Sequence, residues 1–306
     1  MRAATGLGAA ALLLTTLGLT SCAETDVAAS DVQIVVTTNI LGDVVENIAG
    51  DEAQVTTLMK PNADPHSFEI SAQEAAQLRD ADLVVSNGLG LEEGLQRHLD
   101  AAVSSGTELD AAGDMIDVLP YDSGDAAGAP DPHFWTDPAR MIDVVDALTE
   151  KIGAVSGVDA AAIAANANAY REQLVELDAD MAAAFDSIEK HDRALVTNHH
   201  VFGYLADRFD FRIVGAVIPG GTTLAAPSAS DLQELADAIA DAGVQTIFAE
   251  SSQPDRLVQA LASEVGVDVD VVELYTESLT EPGEGADTYL TMMRANTERI
   301  AEGLAE

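Results

Sequence analysis

From residue 159 to about residue 190 the chain contains neither Pro nor Gly. The stretch is rich in Ala, Leu and Glu, which are strong helix formers, and it runs well beyond the ordinary globular helix of about 10 to 14 residues. Leu174, Leu177, Met181 and Phe185 mark one apolar stripe along it. A coiled coil would need a sustained heptad pattern, and none is present. The stretch is read as a single long helix, and such a helix divides the rest of the chain into two halves.

Both halves alternate short β-branched runs with helical spacing. In the first, strands are expected at 33–38, 54–59, 83–87 and 115–119, the last stopped by Pro120. Helices are expected at 41–49, 72–80, 91–102 and 138–156, with Gly50 and Ser71 as a C-cap and an N-cap. In the second, strands are expected at 193–197, 213–218, 245–249 and 269–274, and helices at 202–209, 230–241, 256–265 and 289–304. Such alternation builds parallel sheets covered by helices. The expected fold class is α/β: two lobes, each a mostly parallel four-stranded sheet flanked by helices, joined by one long α-helix. The expected divisions are an N-terminal lobe at 32–157, the linking helix at 158–191 and a C-terminal lobe at 192–306.

Of the 306 residues, 53 are acidic and 14 basic, a formal net charge of −39. That balance argues against nucleic acid as a partner, because its footprint is a basic surface. It also raises the local concentration of cations. The first residues read as a targeting signal. Arg2 is followed by an apolar run at 9–19, shorter than the roughly 20 residues a membrane-spanning helix needs. The run ends in Leu19-Thr20-Ser21-Cys22, which resembles the bacterial lipoprotein processing box. In such proteins the chain is cut before the Cys and the thiol is acylated. Cys22 is the sole cysteine, so no internal disulfide can form. Residues 1–21 are expected to be a lipoprotein signal peptide and 22–31 a flexible tether. The mature chain is expected to sit outside the cytoplasm, lipid-anchored through Cys22.

Six histidines are present, and two share one local setting: Asp64-Pro65-His66 and Asp131-Pro132-His133. Pro fixes its own φ and biases the preceding residue toward extended geometry, so each tripeptide is a stiff loop presenting an imidazole. Phe68, Phe134 and Trp135 cluster at these loops in a chain poor in aromatics. In parallel sheets, ligands bind beyond the carboxyl ends of the strands, and His66, His199, Glu250 and Glu277 each follow an expected strand. His66, His133 and His199 with one carboxylate make a nitrogen and oxygen donor set that suits zinc. Asp64, Asp131 and Asp137 are read as setting loop geometry. His98 is read as a surface residue, and His191 as a cap on the long helix.

The segments TTNILGDVVENIAGD, LMKPNADPHSFEIS, ADLVVSNGLGLE, DPHFWTDP, TNHHVFGYLADRFDF, IFAESS and LYTESL occur in that order. Together they resemble the metal-binding lipoproteins of zinc and manganese ABC importers, the cluster A-I solute-binding proteins. The resemblance implies two α/β lobes joined by a long helix, with a metal ion in the cleft. It places ligands at His66, His133 and His199. The fourth falls on Glu277, where the family usually has Asp; Glu250 or a water is the alternative. His200 is either a neighbour of the ligands or a substitute for His199. His at the third position favours Zn²⁺, with Mn²⁺ the alternative cargo. The loop at 121–130, His-rich in many zinc members, has Asp122 and Asp125 but no His here. The implied partners are a permease and its ATPase, and the chain is expected to be monomeric and not an enzyme. An adhesin, or a zinc-dependent hydrolase using Glu250 as base, is the rival reading. The sequence has no HExxH helix and no G-x-S-x-G elbow to support catalysis.

Overall fold

The computed structural model describes residues 31–124, 126–252, 256–264 and 269–305. Cys22, the signal peptide and Asp125 lie outside the described residues.

The first sheet contains β1 (Gln33–Val36), β2 (Gln54–Thr57), β3 (Leu83–Ser86) and β4 (Leu109–Ala111). All pairings are parallel, in the order β2-β1-β3-β4. The second contains β5 (Ala194–Thr197), β6 (Arg212–Ala216), β7 (Thr246–Glu250) and β8 (Asp270–Leu274), parallel in the order β6-β5-β7-β8. The two sheets are thus wound identically. β3 and β5 are buried along their whole length, which is why they read as continuous apolar runs rather than alternating ones.

The first lobe carries α1 (Asn39–Ala49), α2 (Ala72–Asp80), α3 (Gln96–Ser105) and α4 (Pro138–Gly153). Thr38 caps α1, and Gly50 ends it at a φ of 53° that Gly adopts readily. Ser71 and Glu74 form a capping box on α2. Asp137 caps α4, whose first residue is Pro138. After the long helix α5 (Ala160–Asp186) come α6 (Gly203–Phe209), α7 (Ala229–Ala242), α8 (Arg256–Glu264) and α9 (Tyr289–Gly303).

Three expectations are corrected. The fourth strand is β4, not 115–119. Met115, Ile116 and Leu119 pack half-buried against the core beyond a 3-10 turn at Ala112–Met115. Their apolar side chains report burial without ladder pairing. Helix α3 starts at Gln96 rather than residue 91, because the Glu92 side chain turns inward to accept from the Asn87 and Gly88 amides and from Thr37 Oγ1. The long helix ends at Asp186 with Ser187 as its C-cap, so His191 caps nothing; it is exposed, 3.3 Å from Asp192.

Helix α5 is about 40 Å long at 1.5 Å per residue. It buries Ile163, Ala167, Tyr170, Leu174, Leu177, Met181 and Phe185 on one face. That face packs on α1 and α4 from the first lobe and on α9 from the end of the chain. One continuous apolar core therefore runs from Ile34 and Val44 through Leu174 and Leu177 to Phe248, Met292 and Ile300. Each sheet has a smaller core on its other face. Leu177→Ala is expected to destabilise the protein by about 2–5 kcal/mol. In urea this should lower the midpoint of one transition common to both lobes; two separated transitions would contradict the shared core.

Candidate metal centre

The two Asp-Pro-His loops use the same device. Asp64 Oδ1 accepts from the His66 amide at 2.8 Å, and Asp131 Oδ1 accepts from the His133 amide at 3.0 Å. Each carboxylate closes a turn around its Pro, which fixes where the imidazole points. The second loop is held further by Asn87 Nδ2, which donates to the Pro132 carbonyl, and by the Tyr204 hydroxyl, which donates to the Asp131 carbonyl. His199 stands just past β5, where its carbonyl accepts from Thr197 Oγ1. Glu277 follows β8, in a segment held by Trp135 Nε1 donating to the Thr276 carbonyl and Asn39 Nδ2 donating to Ser278 Oγ.

These four segments bring His66, His133, His199 and Glu277 into one cluster, with every ligand atom within 4.8 Å of the others. Nε2 of His66, His133 and His199 lie 3.0, 3.2 and 3.2 Å from Glu277 Oε1. Nε2 of His133 is 3.4 Å from Nε2 of both other histidines. A tetrahedron with donors about 2.0–2.1 Å from its centre has edges of about 3.3–3.4 Å, and these five separations lie at or a little below that.

Burial and charge shape the site. Burial alone would lower the His133 and His199 pKa values. Asp131 and Glu277 beside His133, and Glu277 and Glu250 beside His199, outweigh it and raise both. Burial would raise Glu277, but the surrounding imidazoles, His199 first, hold it well below the usual carboxylate range. Without an ion, then, the shifts of His133 and His199 favour protonated imidazoles beside the buried Glu277 carboxylate.

The residues around the cluster divide by what they touch. Asp131 Oδ1 is 2.7 Å from His133 Nδ1, which in the neutral ring leaves Nε2 as the lone-pair nitrogen toward the cluster. Glu250 Oε2 is 3.1 Å from His199 Nδ1, too oblique for a hydrogen bond in this conformation but close as an ion pair. Glu250 therefore stands behind His199, away from the converging atoms, and also accepts from Asn198 Nδ2. Burial and the Glu277 charge raise its pKa. His200 is outside the cluster and lines an adjoining cavity of about 490 Å³ with Tyr121, Asp131 and Asp207. Burial, followed by His199, lowers its pKa. Asp64, Asp131 and Asp137 all bond loop or helix amides, and His98 is half-buried on α3. Tyr121 was not singled out by the sequence. Its hydroxyl lies 3.4 Å from His133 Nδ1, and its position in a loop of small and acidic residues gives no pattern to find it by.

Two α/β lobes meet over a small, buried cluster of three imidazoles and a carboxylate, a group that could hold a metal ion. The family described as ZnuA, zinc-uptake complex component A, periplasmic, matches residues 34–303, and the chain belongs to it. This is a family of substrate-binding proteins rather than enzymes. The manganese-binding lipoprotein MntA of Bacillus subtilis is 30% identical over 305 residues, covering 96% of this chain and 98% of that one. The manganese ABC transporter substrate-binding lipoprotein PsaA of Streptococcus pneumoniae is 28% identical, covering 94% of each. Among solved structures, the periplasmic zinc-binding protein TroA from Treponema pallidum is similar with a TM-score of 0.83 and 30% identity, covering 90% of this chain and 99% of that one.

Removing the Asp131 charge takes away the largest influence that raises the His133 pKa. Asp131→Asn is expected to lower the His133 pKa in the metal-free protein while His199 stays elevated. Imidazole NMR titration checks this; an unmoved His133 would assign its shift to Glu277 alone.

Proposed function

We propose that this chain captures Zn²⁺ outside the cytoplasm and delivers it to an ABC permease driven by its ATPase. The coarser part, extracytoplasmic binding of a divalent metal for ABC import, follows from the family. The proposal adds the ion and its ligands: His66, His133 and His199 through Nε2, and Glu277 through Oε1. The observation that carries it is the convergence of three Nε2 atoms and one carboxylate oxygen, with five of their six separations at 3.0–3.4 Å, at or a little below the edge of a zinc tetrahedron. In the loaded site the imidazoles are neutral. Asp131, hydrogen-bonded to His133 Nδ1, keeps the Nε2 lone pair of that ring toward the ion, and the Glu250 carboxylate stands 3.1 Å from His199 Nδ1. The ion's two positive charges replace the protons that otherwise balance Glu277. Glu250 faces the back of His199, which suits an orienting role rather than that of a hydrolytic base.

One observation favours Mn²⁺ as the second reading. Glu277 Oε2 is buried and meets no hydrogen-bond partner among the described residues. A bidentate Glu277 would add an oxygen donor, and oxygen-rich sets suit manganese. Relatives named for manganese point the same way.

We further propose that the chain is a monomer tethered through an acylated Cys22. Relatives named as lipoproteins support the anchor. Among the described residues no helix is long and apolar enough to cross a membrane.

The test is metal content of the mature chain and competitive titration of zinc against manganese, with His199→Ala alongside. One zinc per chain, poorly displaced by manganese and weakened in the variant, is the expected result; manganese preference would establish the second reading. Affinity should also rise with pH. The raised pKa values of His133 and His199 keep protons on them above the ordinary imidazole value of about 6.5, so the gain continues above that pH. Calorimetry in buffers of different ionisation enthalpy should show protons released on loading.

A further inference from the structure

His66, His133, His199 and Glu277 are each no more than 1% exposed. An ion can reach or leave them only if part of the surrounding wall moves. Two of the described segments beside them are held unequally.

On one side, Asn39 donates to Ser278 Oγ at 2.9 Å and accepts from the Leu279 amide at 3.0 Å. Trp135 Nε1 donates to the Thr276 carbonyl at 2.8 Å, and the Tyr289 hydroxyl donates to the Trp135 carbonyl at 2.7 Å. Trp135 and Tyr289 belong to the core shared by both lobes, so opening here would disrupt that core.

The other side is the loop at 219–224, beyond β6. Its near end is fixed to β5 and the residue beyond it, since the Val217 and Ile218 amides donate to the Thr197 and Asn198 carbonyls. From there it crosses to both Asp-Pro-His loops by two bonds. Thr223 Oγ1 donates to Asp64 Oδ2 at 2.6 Å, and the same carboxylate turns the His66 loop through its other oxygen. The Tyr121 hydroxyl donates to the Gly221 carbonyl at 3.1 Å while standing 3.4 Å from His133 Nδ1. Gly221 lies flat against that ring: a Cβ there would fall 2.5 Å from the Tyr121 hydroxyl oxygen. Immediately beyond, Leu224 is 57% exposed and Ala225 and Ala226 are exposed, so little packing holds the far end.

We propose that residues 219–224 are the release latch of the metal site, hinged at Gly220 and Gly221. Thr223 and Tyr121 are its positioning residues, tying it to the loops that present His66 and His133. The inference rests on the metal-binding reading above. The latch contributes no ligand, so it governs how fast the ion leaves rather than which donors hold it. The buried clasp of Asn39, Trp135 and Tyr289 stays shut as the loop opens.

The mature chain is loaded with Zn²⁺, and loss of the ion to excess chromogenic chelator is followed by stopped flow. Thr223→Val preserves shape and removes the donor; release is expected to be about tenfold faster, the rate equivalent of one lost hydrogen bond to a carboxylate. Thr223→Ser keeps the hydroxyl and should stay within about twofold of the parent rate. Gly221→Ala, which forces the loop off Tyr121, should also release faster with one zinc still bound per chain. If Thr223→Val does not fold, Gly221→Ala and Tyr121→Phe read the same latch. Parent-like rates in the folded variants, with stoichiometric zinc, would overturn the proposal. So would Ser278→Ala releasing zinc faster than any of them, because that puts the exit at the buried clasp. A parent chain that takes up no zinc would instead overturn the metal-binding reading.

Discussion

The site depends on one buried carboxylate facing three imidazoles. An unpaired charge in a protein interior is strongly unfavourable, and Glu277 is tolerable only because His66, His133 and His199 converge on it with protons or a cation between them. That requirement links four segments, the most distant 211 residues apart, into one electrostatic unit. The supporting carboxylates extend it outward. Asp131 holds His133 at Nδ1 and the Glu250 charge faces Nδ1 of His199, so the His133 ring is oriented before any ion arrives.

The scaffold explains how residues from two lobes come together in one cluster. The two sheets are wound alike and offer their carboxyl ends to one cleft. Helix α5, with α1, α4 and α9 packed on it, joins the cores of both lobes into one. A large rotation of one lobe against the other would open that apolar core to water. Movement is cheaper in segments with few buried contacts, and the loop beyond β6 is such a segment. A protein that must seal an ion and later surrender it is served by this asymmetry: one clasp built into the core and one held by two side-chain bonds.

Much of this was legible in the chain. The Pro-free and Gly-free stretch gave α5, because helix propensity and a single apolar stripe need no tertiary context. The two Asp-Pro-His loops were legible because Pro restricts the backbone locally and Asp can reach the amide two residues on. Residues 115–119 misled because a short apolar run half-buried against a core resembles a short strand. Residues 91–95 read as helix because nothing local shows that Glu92 turns back to the ends of β1 and β3.

By itself, then, the sequence determined the alternation of elements, the long helix, the stiff histidine loops and the donor types, all consequences of local stereochemistry and composition. The tertiary structure decided which carboxylate joins the histidines and which stands behind one of them. It placed Glu277 among the three Nε2 atoms and Glu250 at the back of His199, although both follow a strand in the second sheet. It also decided which wall of the site is locked into the core and which is only tethered. Those outcomes depend on distances between segments remote in sequence, and only the packing of the two lobes on α5 fixes them.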